Sequence, residues 1–313
     1  MTQDPRPPIL VATPLDAESD ATVQTGLAWA AATNLPAILL HVIPNLWGTD
    51  PATDWALAAA LPSPEELTER LHLQVERATR GVADWPAATA REVVCALANG
   101  STHHEVAEEA VRRNARMIVV GAHARTHDGF PSLGNTTDRL IRLADRPVLV
   151  TRGAGRSGPP RRVLCAVDLS PLSEETLAVT LDILGGLAGP PPDLDVVFVL
   201  GFFEGLHLRS THRLGAEATA ADITRAATDD LDALLARVVP QRDHRPKARV
   251  LEGDPKIALV DEATTGSYDL LVVGTHGRSG FDRLLTGSVA SSLLRRVTCD
   301  ALVVPPRAAR SAS

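Results

Sequence analysis

Short apolar runs alternate along this chain with stretches whose apolar residues recur every three or four positions. The runs predict strands at about 8–13, 36–43, 90–97, 116–121 and 147–151. A second series follows at about 161–167, 193–200, 246–252, 268–274 and 300–305. Helical patterns fill most of the gaps. Ile223, Ala227, Leu231, Leu234 and Val238 form one apolar stripe, and Val289, Leu293 and Val297 another. Each reads as the face of a helix that packs on a sheet. Ser63-Pro64-Glu65-Glu66 carries an N-cap serine, a proline at the first helical position and a glutamate at the capping-box position. Ser170-Pro171 opens a helix in the same way.

Strand–helix alternation predicts parallel strands joined by right-handed crossovers. Each half of the chain is therefore expected to be a doubly wound, Rossmann-like α/β domain with a five-stranded parallel sheet. Ligands on such sheets bind beyond the C-terminal strand ends, where the strand order reverses.

The pattern is written twice. Met117–Val150 aligns without a gap on Leu270–Val303 at an offset of 153 residues. Gly121 falls on Gly274, Arg125 on Arg278, Gly134 on Gly287 and Arg142 on Arg295; upstream, Gly100 falls on Gly253. Near the start, ILVAT (Ile9–Thr13) matches VLCAV (Val163–Val167) at an offset of 154. A period this long implies a duplicated domain, because solenoid repeats are far shorter. The Gly-, Pro- and Arg-rich segment Thr151–Arg162 reads as the connection. The expected division is domain 1 at 1–152, a linker at 153–161 and domain 2 at 162–313.

Composition narrows the function classes. Hydrophobic residues make up 44% of 313 and charged residues 22%, enough for an ordinary core. Aromatics are only 3%, which argues against base-stacking platforms for single-stranded nucleic acid. The formal net charge of −7 leaves no basic footprint for a duplex. Cys95, Cys165 and Cys299 lie far apart with no C-x-x-C, so they read as small buried hydrophobes. MTQDPRPPILVA lacks the apolar stretch of a signal peptide, and no run approaches a membrane span. The expectation is a soluble cytoplasmic protein with neither nucleic acid nor membrane as partner.

One stretch carries more glycine than a connection needs. VVGTHGRSGFDRLLTGSVA (Val272–Ala290) runs from a strand to a helix with Gly274, Gly277 and Gly287 followed by Ser288. Glycine lets backbone N–H groups approach a ligand closely. A helix opening at Gly287-Ser288 presents free amides and a positive dipole end to phosphate. The Ser288 hydroxyl can add a donor or simply cap the helix. The spacing is neither a Walker A motif nor the dinucleotide fingerprint, whose loop follows the first strand.

G-x2-G-x9-G-S after a Val-Val strand resembles the nucleotide-binding pattern of the universal stress protein family. The strand VLCAV running into Asp168, the run Asp269–Gly274 and the closing Leu-Val-Val-Pro strand resemble it too. The resemblance covers nearly the whole chain, twice, as a tandem member of that family. It implies an adenine nucleotide alpha hydrolase-like sheet that holds ATP, mainly in domain 2, with a divalent metal such as Mg²⁺ or Mn²⁺. It places Asp168 at the adenine–ribose end, Leu200 in the adenine slot, and Val273 and Gly274 beside the ribose. Gly277, Gly287, Ser288 and Val289 would hold the phosphates. Arg278 pairs with phosphate or is a surface arginine, and His276 packs within the loop.

The first half departs from the pattern: Pro14 stands for Asp168, Ala124 for Gly277 and Asn135 for Ser288. Asn135 still suits a helix cap. Asp16 lies two residues late. Only the second half is therefore expected to hold ATP well. Pro44–Pro64 and Gly201–Gly215 read as lids, as contacts between halves, or as loops tucking Trp47, Trp55, Phe202 and Phe203 against their own domain. His103-His104-Glu105 reads as a solvated helix start, with no metal role assigned.

No residue is placed by a motif as a catalytic base. The leading expectation is an ATP-binding stress-response or signalling protein, acting through nucleotide-dependent conformation and an unidentified protein partner. The alternatives are a slow ATPase or other ATP-using enzyme, and a nucleotide-free interaction module. The resemblance also implies pairing of the two halves and a homo-oligomer, such as a dimer.

Overall fold

The computed structural model describes residues 6–44, 62–82, 93–122, 133–153, 155–212, 217–241, 245–275 and 287–306. These residues fall into two compact units, 6–122 with 134–159 in one and Leu133 with 160–306 in the other.

The first unit contains β1 (Ile9–Ala12), α1 (Asp20–Thr33), β2 (Ala37–Pro44), α2 (Pro64–Thr79), β3 (Val93–Gly100), α3 (Thr102–Arg112), β4 (Met117–Gly121), α4 (Asn135–Leu143) and β5 (Val148–Thr151). Its sheet order is β3-β2-β1-β4-β5, all parallel. The second unit contains β6 (Arg162–Val167), α5 (Pro171–Gly185), β7 (Asp193–Leu200), α6 (Phe202–Thr211), α7 (Ala220–Val238), β8 (Lys247–Glu252), α8 (Pro255–Thr265), β9 (Leu270–Gly274), α9 (Ser288–Arg296) and β10 (Asp300–Val304). Its order is β10-β9-β6-β7-β8, again all parallel. Each chain half starts mid-sheet, winds to one edge, then returns past its first strand to the other. The α/β class and the doubly wound sheets are as expected.

The apolar runs are strands because both faces are covered. β1, β4, β5 and β10 are buried at every position. The edge strands β3 and β8 are only half-buried. β3, described from Val93, also runs three residues past its expected end, to Gly100. Its ladder pairs Ala37 with Val93 and ends at Pro44 with Gly100, so the partner strand sets the register and local propensity does not. Gly100 and its counterpart Gly253 close their strands at φ +146 and +129, a region side chains rarely adopt.

Ser63 caps α2 with the full capping box. Ser170 is the N-cap of α5 as read, with no side-chain cap bond. In α7 the inner face is Ala226, Ala227, Leu231, Leu234 and Leu235, with Ile223 and Val238 half-exposed at the ends of the stripe. In α9 it is Ala290, Leu293 and Leu294, so Val289 turns partly outward. Leu143, Val94 and Val111 are among the few exposed large apolar side chains of the first unit.

The amino-terminal rim of the second sheet is shut by polar side chains. The buried Tyr268 hydroxyl donates to Asp195, and Arg249 pairs with Glu262, which lies 3.2 Å from the same hydroxyl. Arg162 sits 4.8 Å over the Tyr268 ring. Burial first, then the Asp195 bond, pushes the Tyr268 hydroxyl well above the ordinary tyrosine range. A cleft opens at the opposite, carboxyl-terminal rim.

Candidate functional site

A cleft of about 490 Å³ opens over the strand ends of the second unit. It runs from β9 across β6 to β7, with α5, α6, α8 and α9 around it. The reversal of strand order falls between β9 and β6, so the cleft sits where a doubly wound sheet is expected to open.

Its first polar feature is the turn after β6. Asp168 Oδ1 accepts from the Ser170 amide at 3.0 Å and from Ser173 Oγ at 2.8 Å. The Asp168 amide in turn donates to Ser173 Oγ at 3.1 Å. This local loop of bonds forces Leu169 to φ 59, a left-handed conformation unfavourable for leucine. The result is a carboxylate held in a fixed position at the mid-point of the cleft.

The second feature is the start of α9. Gly287 N donates to Thr275 O at 2.6 Å, which fastens the helix start to the end of β9. The first helical bond runs from Ser291 N to Gly287 O at 2.9 Å. The amides of Ser288, Val289 and Ala290 precede it and have no partner within the helix. Gly287, not Ser288, is the N-cap, and no side chain caps it. The capping alternative for Ser288 therefore fails, and its hydroxyl is free to serve as a donor. Three amides and the dipole end together give this helix start the geometry that favours an anion.

Of the residues singled out in the sequence, Asp168, Val273, Gly274, Gly287, Ser288 and Val289 line this one cleft. Leu200 stands at the end of β7, where its carbonyl accepts from Gly253 N at 3.2 Å, and Val199 provides the lining beside it. Gly277, Arg278 and His276 lie outside the described residues, as do Trp47, Trp55 and Ala124. Sequence reasoning missed Leu172, Ser173 and Thr176 of α5, Phe198 of β7, Glu204 and His207 of α6, and Pro255 and Leu259 of α8. Two of these groups had a visible signal, because Leu172/Thr176 and Pro255/Leu259 are each four apart on helices following a strand end.

The stretch after β7 is not a loop. Phe202–Thr211 is a helix on which Phe202 is 82% exposed, while the Phe203 side chain and residues 213–215 lie outside the described residues. In the first unit Gly134 is the N-cap of α4 and Asn135 is its first residue, so Asn135 does not cap. Cys165 is fully buried, which pushes its thiol up to about 12. Burial also raises Cys95, half-buried like Cys299. His104, Glu105 and Glu108 on α3 bring ligand atoms within 4.8 Å of one another. His104 Nδ1 lies 3.4 Å from Glu108 in an exposed i,i+4 pair, and His103 bonds Ser101. Among the described residues, no helix is long and apolar enough to cross a membrane.

Residues 6–152 and 160–305 each match the sequence profile of the Universal stress protein family. The chain is 29% identical over 315 residues to a universal stress protein of Mycolicibacterium smegmatis, covering 96% of this chain and 97% of that one. It is 33% identical over 147 residues to universal stress protein A homolog 1 of Coxiella burnetii, covering 46% of this chain and 95% of the relative. The crystal structure of a universal stress protein from Archaeoglobus fulgidus superposes with a TM-score of 0.63 at 15% identity, covering 96% of this chain and 98% of that chain. The last likeness is one of fold.

Proposed function

We propose a function for this chain from one premise: both its halves belong to the universal stress protein family. The second unit binds an adenine nucleotide, ATP in the first place, and occupancy alters a surface that a partner protein reads. The protein thereby acts in stress response or signalling, in the cytoplasm and as a homo-oligomer. One observation carries the nucleotide reading. A helix start with three bare amides and a carboxylate fixed by its own turn face into one cleft. The cleft's volume, about 490 Å³, falls within the range of small-ligand sites.

The residues fit the ligand part by part. Gly287, Ser288 and Val289 offer amides and a hydroxyl to phosphate oxygens, and Gly274 and Gly277 let backbone come close. Arg278 would add a cation to the same group. Asp168, acceptor-only when ionised, suits ribose hydroxyls, with Val273 beside it. Val199 and Leu200 stand at the base end. A divalent cation, Mg²⁺ or Mn²⁺, would be held chiefly by the phosphates and would neutralise their charge.

Purified protein, extracted with acid and analysed by mass spectrometry, is expected to release an adenine nucleotide, and calorimetric titration with ATP to give one site per chain. A ligand that binds only the native state also raises the melting temperature. No nucleotide released, no heat and no thermal shift with millimolar ATP would overturn the reading.

A further inference from the structure

We propose that Glu204 makes the cleft selective for six-amino purines: its carboxylate takes the amino group of adenine and turns away the six-oxo group of guanine and hypoxanthine. The inference rests on the nucleotide reading of the cleft given above and asks which end meets the base.

The sheet order supplies a ruler. Along the cleft the strands run β9, β6, β7. Parallel neighbours are about 4.8 Å apart, so the two steps span roughly 10 Å, and α6 and α8 extend the lining past β7. The bare amides of α9 stand at the β9 end, so an anion settles there. Asp168 marks the next strand, β6. At the far end, at β7 and the start of α8, the lining is apolar, with Val199, Pro255 and Leu259. The polar side chains there are Glu204 and His207, both on α6.

That end is built against phosphate and for a base. A carboxylate repels an anion, so Glu204 and the α9 amides orient the ligand in the same sense. The Glu204 side chain folds over the first turn of α6. A Cβ on Gly201 would lie only 2.5 Å from its Oε2, so the glycine leaves that oxygen its room. His207 Nε2 is engaged with Thr211 Oγ1 at 3.3 Å, which fixes the imidazole beside it. An ionised carboxylate accepts hydrogen bonds and donates none. Adenine presents an amino donor at position six where guanine presents a carbonyl acceptor. The first satisfies Glu204. The second leaves two acceptors facing each other in a partly desolvated slot, the arrangement that gives strong discrimination.

The test is competitive titration of the full chain with ATP, GTP and ITP, for wild type, Glu204→Gln and Leu206→Gln. Glutamine suits the third helical position as glutamate does, so the helix is kept. Glutamine can also rotate to donate to a six-oxo group. Wild type is expected to prefer ATP, and Glu204→Gln to shrink the ATP-to-GTP and ATP-to-ITP ratios about ten-fold, the scale of one hydrogen bond to a charged group. Leu206→Gln, exposed on the same helix, is expected to leave the ratios unchanged. ATP binding with a ratio that Glu204→Gln does not move overturns the role of Glu204 and leaves the nucleotide site standing. A ratio moved equally by Leu206→Gln also overturns it, because a shift of the helix then explains the effect. No nucleotide bound by wild type overturns both.

Discussion

The two units answer the same structural question in opposite ways. After the first strand each makes the same tight turn, with Leu15 at φ 64 in one and Leu169 at φ 59 in the other. In the second unit the turn presents Asp168 to an open cleft, and Ser173 steadies it. In the first, Pro14 stands in that place, exposed, and the counterparts Thr13 and Ser19 are sealed. Thr13 Oγ1 lies 2.9 Å from Gln74 Oε1 and 3.0 Å from Ser19 Oγ. Gln74 Nε2 donates to Ser19 Oγ at 2.9 Å and to Asp20 Oδ1 at 2.8 Å. Gln74 is 0% exposed, and so is Ser19. Where strand register places Phe198 on the cleft of the second unit, the first has His41, whose Nδ1 lies 2.9 Å from Thr13 O. Asp16, two residues past the missing carboxylate, accepts from Ser19 N at 2.8 Å and serves its own helix. One fold thus keeps a polar corner either by satisfying it with a distant glutamine or by satisfying it within its own turn beside an open cleft. A buried polar group must be bonded in either case.

The largest effect expected from breaking this contrast is at Asp168. Replacement by alanine, which like Pro14 carries no carboxylate, is expected to weaken ATP about 100-fold, or roughly 2.7 kcal/mol. Isothermal titration reads it, and unchanged affinity would remove Asp168 from the site. Next is Gln74→Ala. It takes one buried hydrogen-bond partner from each of Thr13 and Ser19, and the loss of these buried bonds lowers stability by about 2 kcal/mol. Urea unfolding measures it, while ATP stoichiometry is expected to stay at one per chain. A second nucleotide appearing in that variant would show that the plug alone silences the first unit.

The smallest effect concerns a device that both units share. Asp20–Arg77 ties α1 to α2, and Glu174–Arg237 ties α5 to α7. The Arg77 hydrogen bond holds the Asp20 carboxyl below its ordinary value of 3.8. A depressed carboxylate contributes stability above that value and loses it as pH falls through the lower folded value. Arg77→Gln is therefore expected to be less stable than wild type at pH 6, with the gap closing below pH 3.8. Arg77 is 51% exposed, so screening keeps the difference under about 1 kcal/mol. Paired urea midpoints at the two pH values decide it.

The fold was legible because its signals are local. Buried parallel strands leave continuous apolar runs, and Ser63 and Ser170 announce their helices within four residues. The helix start proposed to take phosphate was legible for the same reason: Gly287-Ser288 sits in one short stretch between a strand and a helix. The proposed base end was not. Glu204 and His207 lie on a ten-residue helix of low amphipathic contrast, and nothing within it points to a cleft. The Thr13–Gln74 bond spans 61 residues, beyond the reach of any periodicity.

By itself the sequence determined the doubled α/β plan, the strands and the glycine-bracketed helix start, since each follows from neighbouring residues and their spacing. Only the tertiary structure decided that Thr13 and Ser19 of the first unit bond to Gln74, where β3 takes its register and which side chains from α5, α6 and α8 line the cleft of the second unit. Those outcomes depend on groups far apart in the chain competing for the same space and the same hydrogen bonds, and that competition is settled only when the sheet and its helices are packed together.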